Sequence, residues 1–158
     1  MPEVSVNYDI RVALQTLLKA ESFPPPDPTK KALDPENILV RVMPKVSERL
    51  DKIPCMILAP YGTIPWYDLG FEYGVVRTYT VELAIIAEAN YDFATDDEGY
   101  NGWLEQATRS ASPKYLEDVP SVWGITVVQG APWNRGKIGT LYAYMSALIA
   151  FESEESRN

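Results

Sequence analysis

The sequence predicts an α/β fold of the α+β type, with a single mixed, mainly antiparallel sheet flanked by two helices. Three observations predict it. The first is the stretch Val75 to Ala87, VVRTYTVELAIIA, in which Tyr79, Val81, Leu83 and Ile85 fall on one side and Thr78, Thr80, Glu82 and Ala84 on the other. A period of two in β-branched and aromatic residues is the pattern of a strand with two unlike faces. The second is apolar residues at helical spacing over residues 7–20 and 96–111. The third is a set of shorter strand-like runs on either side of the long one. Each amphipathic element needs a partner layer for its apolar face, so helices stacked on a sheet follow.

The long strand is read as the centre of the sheet. Leu83 to Ala87 is apolar on both faces and fits a covered part, whereas Thr78, Thr80 and Glu82 make one face of the first half wet or paired with another subunit.

From the start of the chain, Ile10, Ala13, Leu14, Leu17 and Leu18 mark the first helix, with Asn7 as its N-cap. Phe23-Pro-Pro-Pro-Asp-Pro28 ends it, because consecutive prolines cannot continue a helix and favour polyproline II. A stiff connector over residues 23–37 is the reading, ahead of a Pro-rich ligand. Ile38 to Met43 and Ile53 to Ala59 read as short strands. Pro60 to Gly74, rich in aromatics and turn formers, is either a local mini-core or a partner-contact arm. Thr95 and Glu98 form a capping box, and Asp96 and Asp97 stand where negative charge suits the helix dipole. Trp103, Leu104, Ala107 and Ala111 then define the second helix, which Ser112-Pro113 ends. Val122 to Val128 reads as a strand and Gly130 to Lys137 as a turn-rich loop. Residues 138–151 fit helix and strand alike; the tight loop before them favours strand. Residues 152–158 are charged and read as a frayed tail. The whole, 1–158, is one domain.

Composition excludes more function classes than it supports. There is no histidine, which removes the commonest metal ligand, general base and pH switch. The single cysteine, Cys55, lies in an apolar run and reads as an inert core residue. A net charge of −8 argues against gripping phosphates, so sequence-reading DNA binding is not expected. The N-terminus lacks a signal-peptide pattern and no run is long enough to span a membrane. The cluster Asp92, Asp96, Asp97, Glu98 fails the calcium-loop pattern, since the sixth position holds Asp97 where glycine is needed. No P-loop, GxGxxG or nucleophile elbow occurs. No enzyme, cofactor or metal site is expected.

The charges are segregated along the chain. Arg41, Lys45, Arg49 and Lys52 concentrate positive charge, while between Arg77 and Arg109 there is no Lys or Arg, and Glu82, Glu88, Asp92, Asp96, Asp97, Glu98 and Glu105 all fall there. Opposite signs on separate windows can orient a contact between subunits, with Trp66, Tyr67, Phe71 and Tyr73 as aromatic anchors. The plainer reading is that both windows are solvated or neutralise each other within one subunit.

The order of elements, with RTYTVELAIIA, TDDEGYNGWLEQATRSAS and the closing GITVVQGAPWN and GTLYAYMSALIAFES, resembles the tail-terminator and neck proteins of long-tailed bacteriophages. That resemblance spans nearly the whole chain as a pattern rather than a motif. It implies a small α/β protein that assembles as a ring, typically a hexamer, at the head–tail junction of the virion. The implied partners are further copies of itself, the tail tube protein and head–neck connector proteins, with DNA passing through without specific binding. Assembly in the bacterial host cytoplasm accords with the missing disulfide. A different neck, head-completion or minor tail component is one alternative, and a non-enzymatic adaptor using the aromatic loop is the other.

Overall fold

The computed structural model describes residues 6–25, 31–45, 47–61, 66–68, 74–88, 97–111, 122–127, 134–138 and 142–156. The elements run α1 (Val6–Lys19), a 3-10 turn (Pro35–Asn37), β1 (Ile38–Val40), β2 (Cys55–Tyr61), β3 (Trp66–Asp68), β4 (Gly74–Glu88), α2 (Asp97–Ser110), β5 (Val122–Val127), β6 (Asn134–Ile138) and β7 (Tyr142–Ser156). The expected fold is the one observed, a mixed sheet with β1 parallel to β2 and every other pairing antiparallel.

Two strands of 15 residues each form its spine, β4 and β7, paired along their full length from Gly74 opposite Ser156 to Glu88 opposite Tyr142. β2 and β3 follow one another along the outer side of β4, and β6 and β5 share the outer side of β7. The long strand is therefore central, as its alternation predicts.

Alternation along β4 sorts the interior into two clusters. Tyr79, Val81, Leu83 and Ile85 join Met56 and Leu58 of β2 and Met145, Ala147, Ile149 and Phe151 of β7 beneath the helices. Ile10, Ala13, Leu14 and Leu18 of α1, with Trp103, Leu104 and Ala107 of α2, cover that face. The other face carries a smaller cluster of Cys55, Ile57, Ala59, Ile86 and Tyr142. On it Glu82 is half-buried and accepts a hydrogen bond from the buried Ser146 hydroxyl at 3.1 Å, while Thr78 and Thr80 are also half-buried.

Several elements depart from expectation, each for a local reason. Asn7 is inside α1 rather than at its cap; its side chain accepts from Arg11 Nε one turn later, at 2.7 Å. The connector is not a straight spacer. Leu33 N–H donates to Phe23 C=O at 3.1 Å, closing the segment on itself and burying both side chains. The Phe23 ring meets Trp103 edge-on at 6.1 Å, and Trp103 Nε1 donates to Pro24 C=O at 2.7 Å. Prolines set the direction of this segment, and a buried aromatic decides where it is tied down.

β1 ends at Val40, short of Met43, and β2 continues past Ala59 to Tyr61. Within the aromatic segment, Trp66 to Asp68 form a strand, so part of it extends the sheet. Residues 134–137, expected in a loop, belong to β6. Residues 152–156, expected to fray, are the end of β7, where β4 holds them on one side and Glu152 and Ser153 also pair with β5. Backbone pairing, on both edges at Glu152 and Ser153 and with β4 alone beyond them, outweighs the solubility of five charged or polar side chains. Thr95, Asp96, Ser112 and Pro113 lie outside the described residues.

α1 is bonded to the first two strands: Gln15 Nε2 donates to the Ile38 C=O of β1 at 2.7 Å, and Arg11 Nη1 donates to the Leu58 C=O of β2 at 3.3 Å.

Candidate functional site

Because β1 and β2 are adjacent and parallel, the chain between them must cross over the sheet, and among the described residues it does so without a helix. Residues 41–54 form a strap on the face opposite the helices. Met43, Leu50 and Ile53 are its apolar contacts, laid against the cluster of Cys55, Ile57, Ala59, Ile86 and Tyr142. Midway, Leu50 N–H donates to the Tyr142 hydroxyl at 2.7 Å. Asn37 Nδ2 donates to Pro54 C=O at 3.4 Å at the far end, and Glu48 N–H closes a turn on Lys45 C=O at 3.0 Å.

The strap carries all four cations of the basic window. Arg41 is spent locally: its guanidinium pairs with Glu48, and its Nε donates to Val42 C=O at 3.0 Å. Lys45, Arg49 and Lys52 are exposed. A groove of about 380 Å³ opens between the strap and β1, lined by Asn37, Leu39, Leu50, Arg41, Arg49 and Lys52, with Glu36 and Asp51 also on its wall. Arg49 and Lys52 make no ion pair among the described residues. The groove therefore sets two cations free of ion pairs, Arg49 and Lys52, beside Leu39 and Leu50, with the carboxylates of Glu36 and Asp51 on the same wall.

The other sequence-derived site residues are not brought to it among the described residues. Trp66 and Tyr67 stand in β3, opposite Arg77 and Val76 of β4. Asp97 and Glu98 open α2. Phe71, Tyr73, Asp92 and Asp96 lie outside the described residues. α2 packs on the helix face and the strap on the other, so the sheet stands between the basic window and the acidic helix.

Sequence reasoning missed two features. Arg11 is buried on the apolar side of α1, held by Asn7 and Leu58 and stacked 5.7 Å from the centre of the Tyr8 ring. Burial pulls its pKa down, with Tyr8 acting in the opposite sense. The signal was present, since Asn7, Arg11, Leu14 and Leu18 share one helical stripe. The second is Glu21, which accepts from Ser110 Oγ and from Gln106 Nε2 at 3.0 Å and so ties the end of α1 to α2. No spacing rule reaches across 85 residues.

Cys55 is 1% exposed. Burial pushes its thiol up to about 11 and the Arg41 charge only partly opposes this, so the buried thiol is held in its neutral form. Among the described residues no three Cys, Asp or Glu side chains gather to hold a metal, and no helix is long and apolar enough to cross a membrane. No protein-family model and no curated protein matches the chain.

Proposed function

We propose that the protein is a structural virion component of a long-tailed bacteriophage, forming a ring at the head–tail junction that terminates the tail tube and joins it to the head. The observation that supports this most is the separation of charge across the sheet. The basic strap lies on one face and α2, which opens on Asp97-Glu98, belongs to the opposite layer. A closed ring is built from heterologous contacts, in which one surface of a subunit meets a different surface of the next. Two oppositely charged surfaces kept apart by a rigid sheet meet that need, and they would act on encounter and register more than on affinity. A net charge of −8 also repels DNA, as a channel that passes a genome requires.

Native mass spectrometry and sedimentation across a range of salt test the reading. The expected result is a discrete ring, six times the 17.7 kDa chain. Arg49→Glu with Lys52→Glu abolishes it, and adding Asp96→Lys with Asp97→Lys restores it. A monomer at every concentration and salt tried overturns the ring and favours a monomeric adaptor. A ring indifferent to the charge reversals overturns only the charge-guided contact.

A further inference from the structure

We infer that Arg11 anchors a carboxylate-binding site near the start of α1, which takes a small carboxylate or an Asp or Glu side chain of a second copy of the chain. The inference stands whether or not the head–tail reading does. It starts from an unbalanced charge. Arg11 is only 9% exposed, and a guanidinium withdrawn this far from water ordinarily has a carboxylate beside it. Among the described residues it has none. Its partners are the Asn7 side chain, the Leu58 carbonyl and the face of the Tyr8 ring.

Those partners do not use up the group. A guanidinium has five N–H donors, and two are placed here, Nε on Asn7 Oδ1 at 2.7 Å and Nη1 on Leu58 C=O at 3.3 Å. The second bond is long, and the same carbonyl also accepts from Arg41 N–H at 3.3 Å. Nη2 meets no acceptor among the described residues. The position sharpens the need. By reaching back to Asn7 and Tyr8 the side chain carries its charge toward the start of α1, where the positive end of the helix dipole adds to it. Asp9, the acidic residue of that turn, is two positions from Arg11 and so stands on another side of the helix.

A carboxylate suits the place better than a phosphate. Its two oxygens match the flat fork of a guanidinium, and it is small enough for a group that is nine-tenths covered. As a monoanion it also meets less repulsion from a chain of net charge −8. Access is from the surface, because the Tyr8 ring lying against the guanidinium is 47% exposed.

Acetate is the probe. Urea unfolding of the full chain is followed at neutral pH while acetate replaces chloride at constant ionic strength, and the series is repeated at several chain concentrations. Stability is expected to rise with acetate as for one bound ion, with a dissociation constant on the order of 1–10 mM. Arg11→Met abolishes the rise. Arg11→Lys keeps the charge, loses the fork and weakens binding by about tenfold. If the Arg11-dependent stability instead rises with chain concentration and acetate opposes that rise, the carboxylate belongs to a second copy and the site stands. A parent chain that responds no more to acetate than to chloride, with no Arg11-dependent effect of chain concentration, overturns the site. So does an acetate response that survives Arg11→Met. If Arg11→Met fails to fold, Arg11→Lys decides, and a response equal to the parent's overturns the inference.

Discussion

The two faces of the sheet are covered by different means. On one, α1 and α2 bring stripes of Leu14, Leu18, Trp103 and Leu104 onto a broad apolar surface. On the other, an irregular strap brings Met43, Leu50 and Ile53 onto a narrow one. A helix satisfies its own backbone and offers its whole apolar stripe for burial, whereas a strap must find partners for each N–H it covers. Leu50 finds the Tyr142 hydroxyl. The comparison teaches that the larger cluster, and with it most of the burial, lies on the helix side, while the strap side carries the exposed cations.

The largest effect expected from breaking this arrangement comes from the helix side. Leu83 is fully buried on the central strand, between β2 and β7. Leu83→Ala is expected to lower unfolding free energy by about 3–4 kcal/mol, through lost transfer energy and the cavity left in a rigid sheet. Urea unfolding measures it.

On the strap side the largest effect is expected from pH rather than from truncation. Below the ordinary thiol value of 9.0, Cys55 is neutral in both folded and unfolded chains and contributes nothing pH-dependent. Between 9.0 and about 11 the unfolded thiol ionises while the buried one does not, so the unfolded state gains and stability falls as pH rises. That loss approaches about 2–3 kcal/mol by the upper end of the window. Cys55→Ala lacks it, so the difference between the two stability curves isolates it from tyrosine and lysine titration. Parallel curves from pH 9 to 11 would show that the strap keeps no dry site.

Arg11 ranks next. It is a buried cation held by Asn7, the Leu58 carbonyl and the face of Tyr8. Arg11→Met keeps the aliphatic stem and leaves Asn7 Oδ1 without this donor, at an expected loss of about 1–2 kcal/mol in thermal or urea unfolding. A stabilised variant would mean that desolvating the guanidinium outweighs its bonds.

These comparisons separate what the sequence made legible from what it did not. Strand β4, both helices and the division of β4 into two faces were readable, because period two and period 3.6 are local consequences of backbone geometry. The strand reading of the closing segment held because β4 pairs with it along its full length, which decides between two periods that its residues fit alike. The strap was readable only as a basic window, since its cover over Cys55 depends on a bond between residues 92 positions apart. For the same reason the charged end of β7 read as a tail. Its strand character comes from β4 and β5 on either side, which no property of Glu152 to Ser156 announces. Within the candidate site, the identity of the cations was legible and the consumption of Arg41 by Glu48 was not. Seven residues separate the two, so only the strap's turn brings them together.

The smallest effect expected sharpens the comparison most. Each cover is fastened by a hydrogen bond between an element of the fold and irregular chain. On the helix side Trp103 Nε1 donates to Pro24 C=O, and on the strap side Leu50 N–H donates to Tyr142, both at 2.7 Å. Trp103→Phe removes the first and keeps an aromatic ring against Phe23. Its expected loss is about 1 kcal/mol, the net worth of one such bond with some packing. Tyr142→Phe removes the second at a similar loss. The two are told apart by where the loss appears. Phe23, Trp103 and Leu33 belong to the same cluster as α1 and the centre of the sheet, so Trp103→Phe shifts the global urea midpoint and leaves Cys55 labelling at low urea where it was. Tyr142→Phe is expected to shift both, because its bond fastens the strap laid over the cluster that holds Cys55. If Trp103→Phe exposes Cys55 as readily as Tyr142→Phe does, the two faces unfold together and the division drawn between them is wrong.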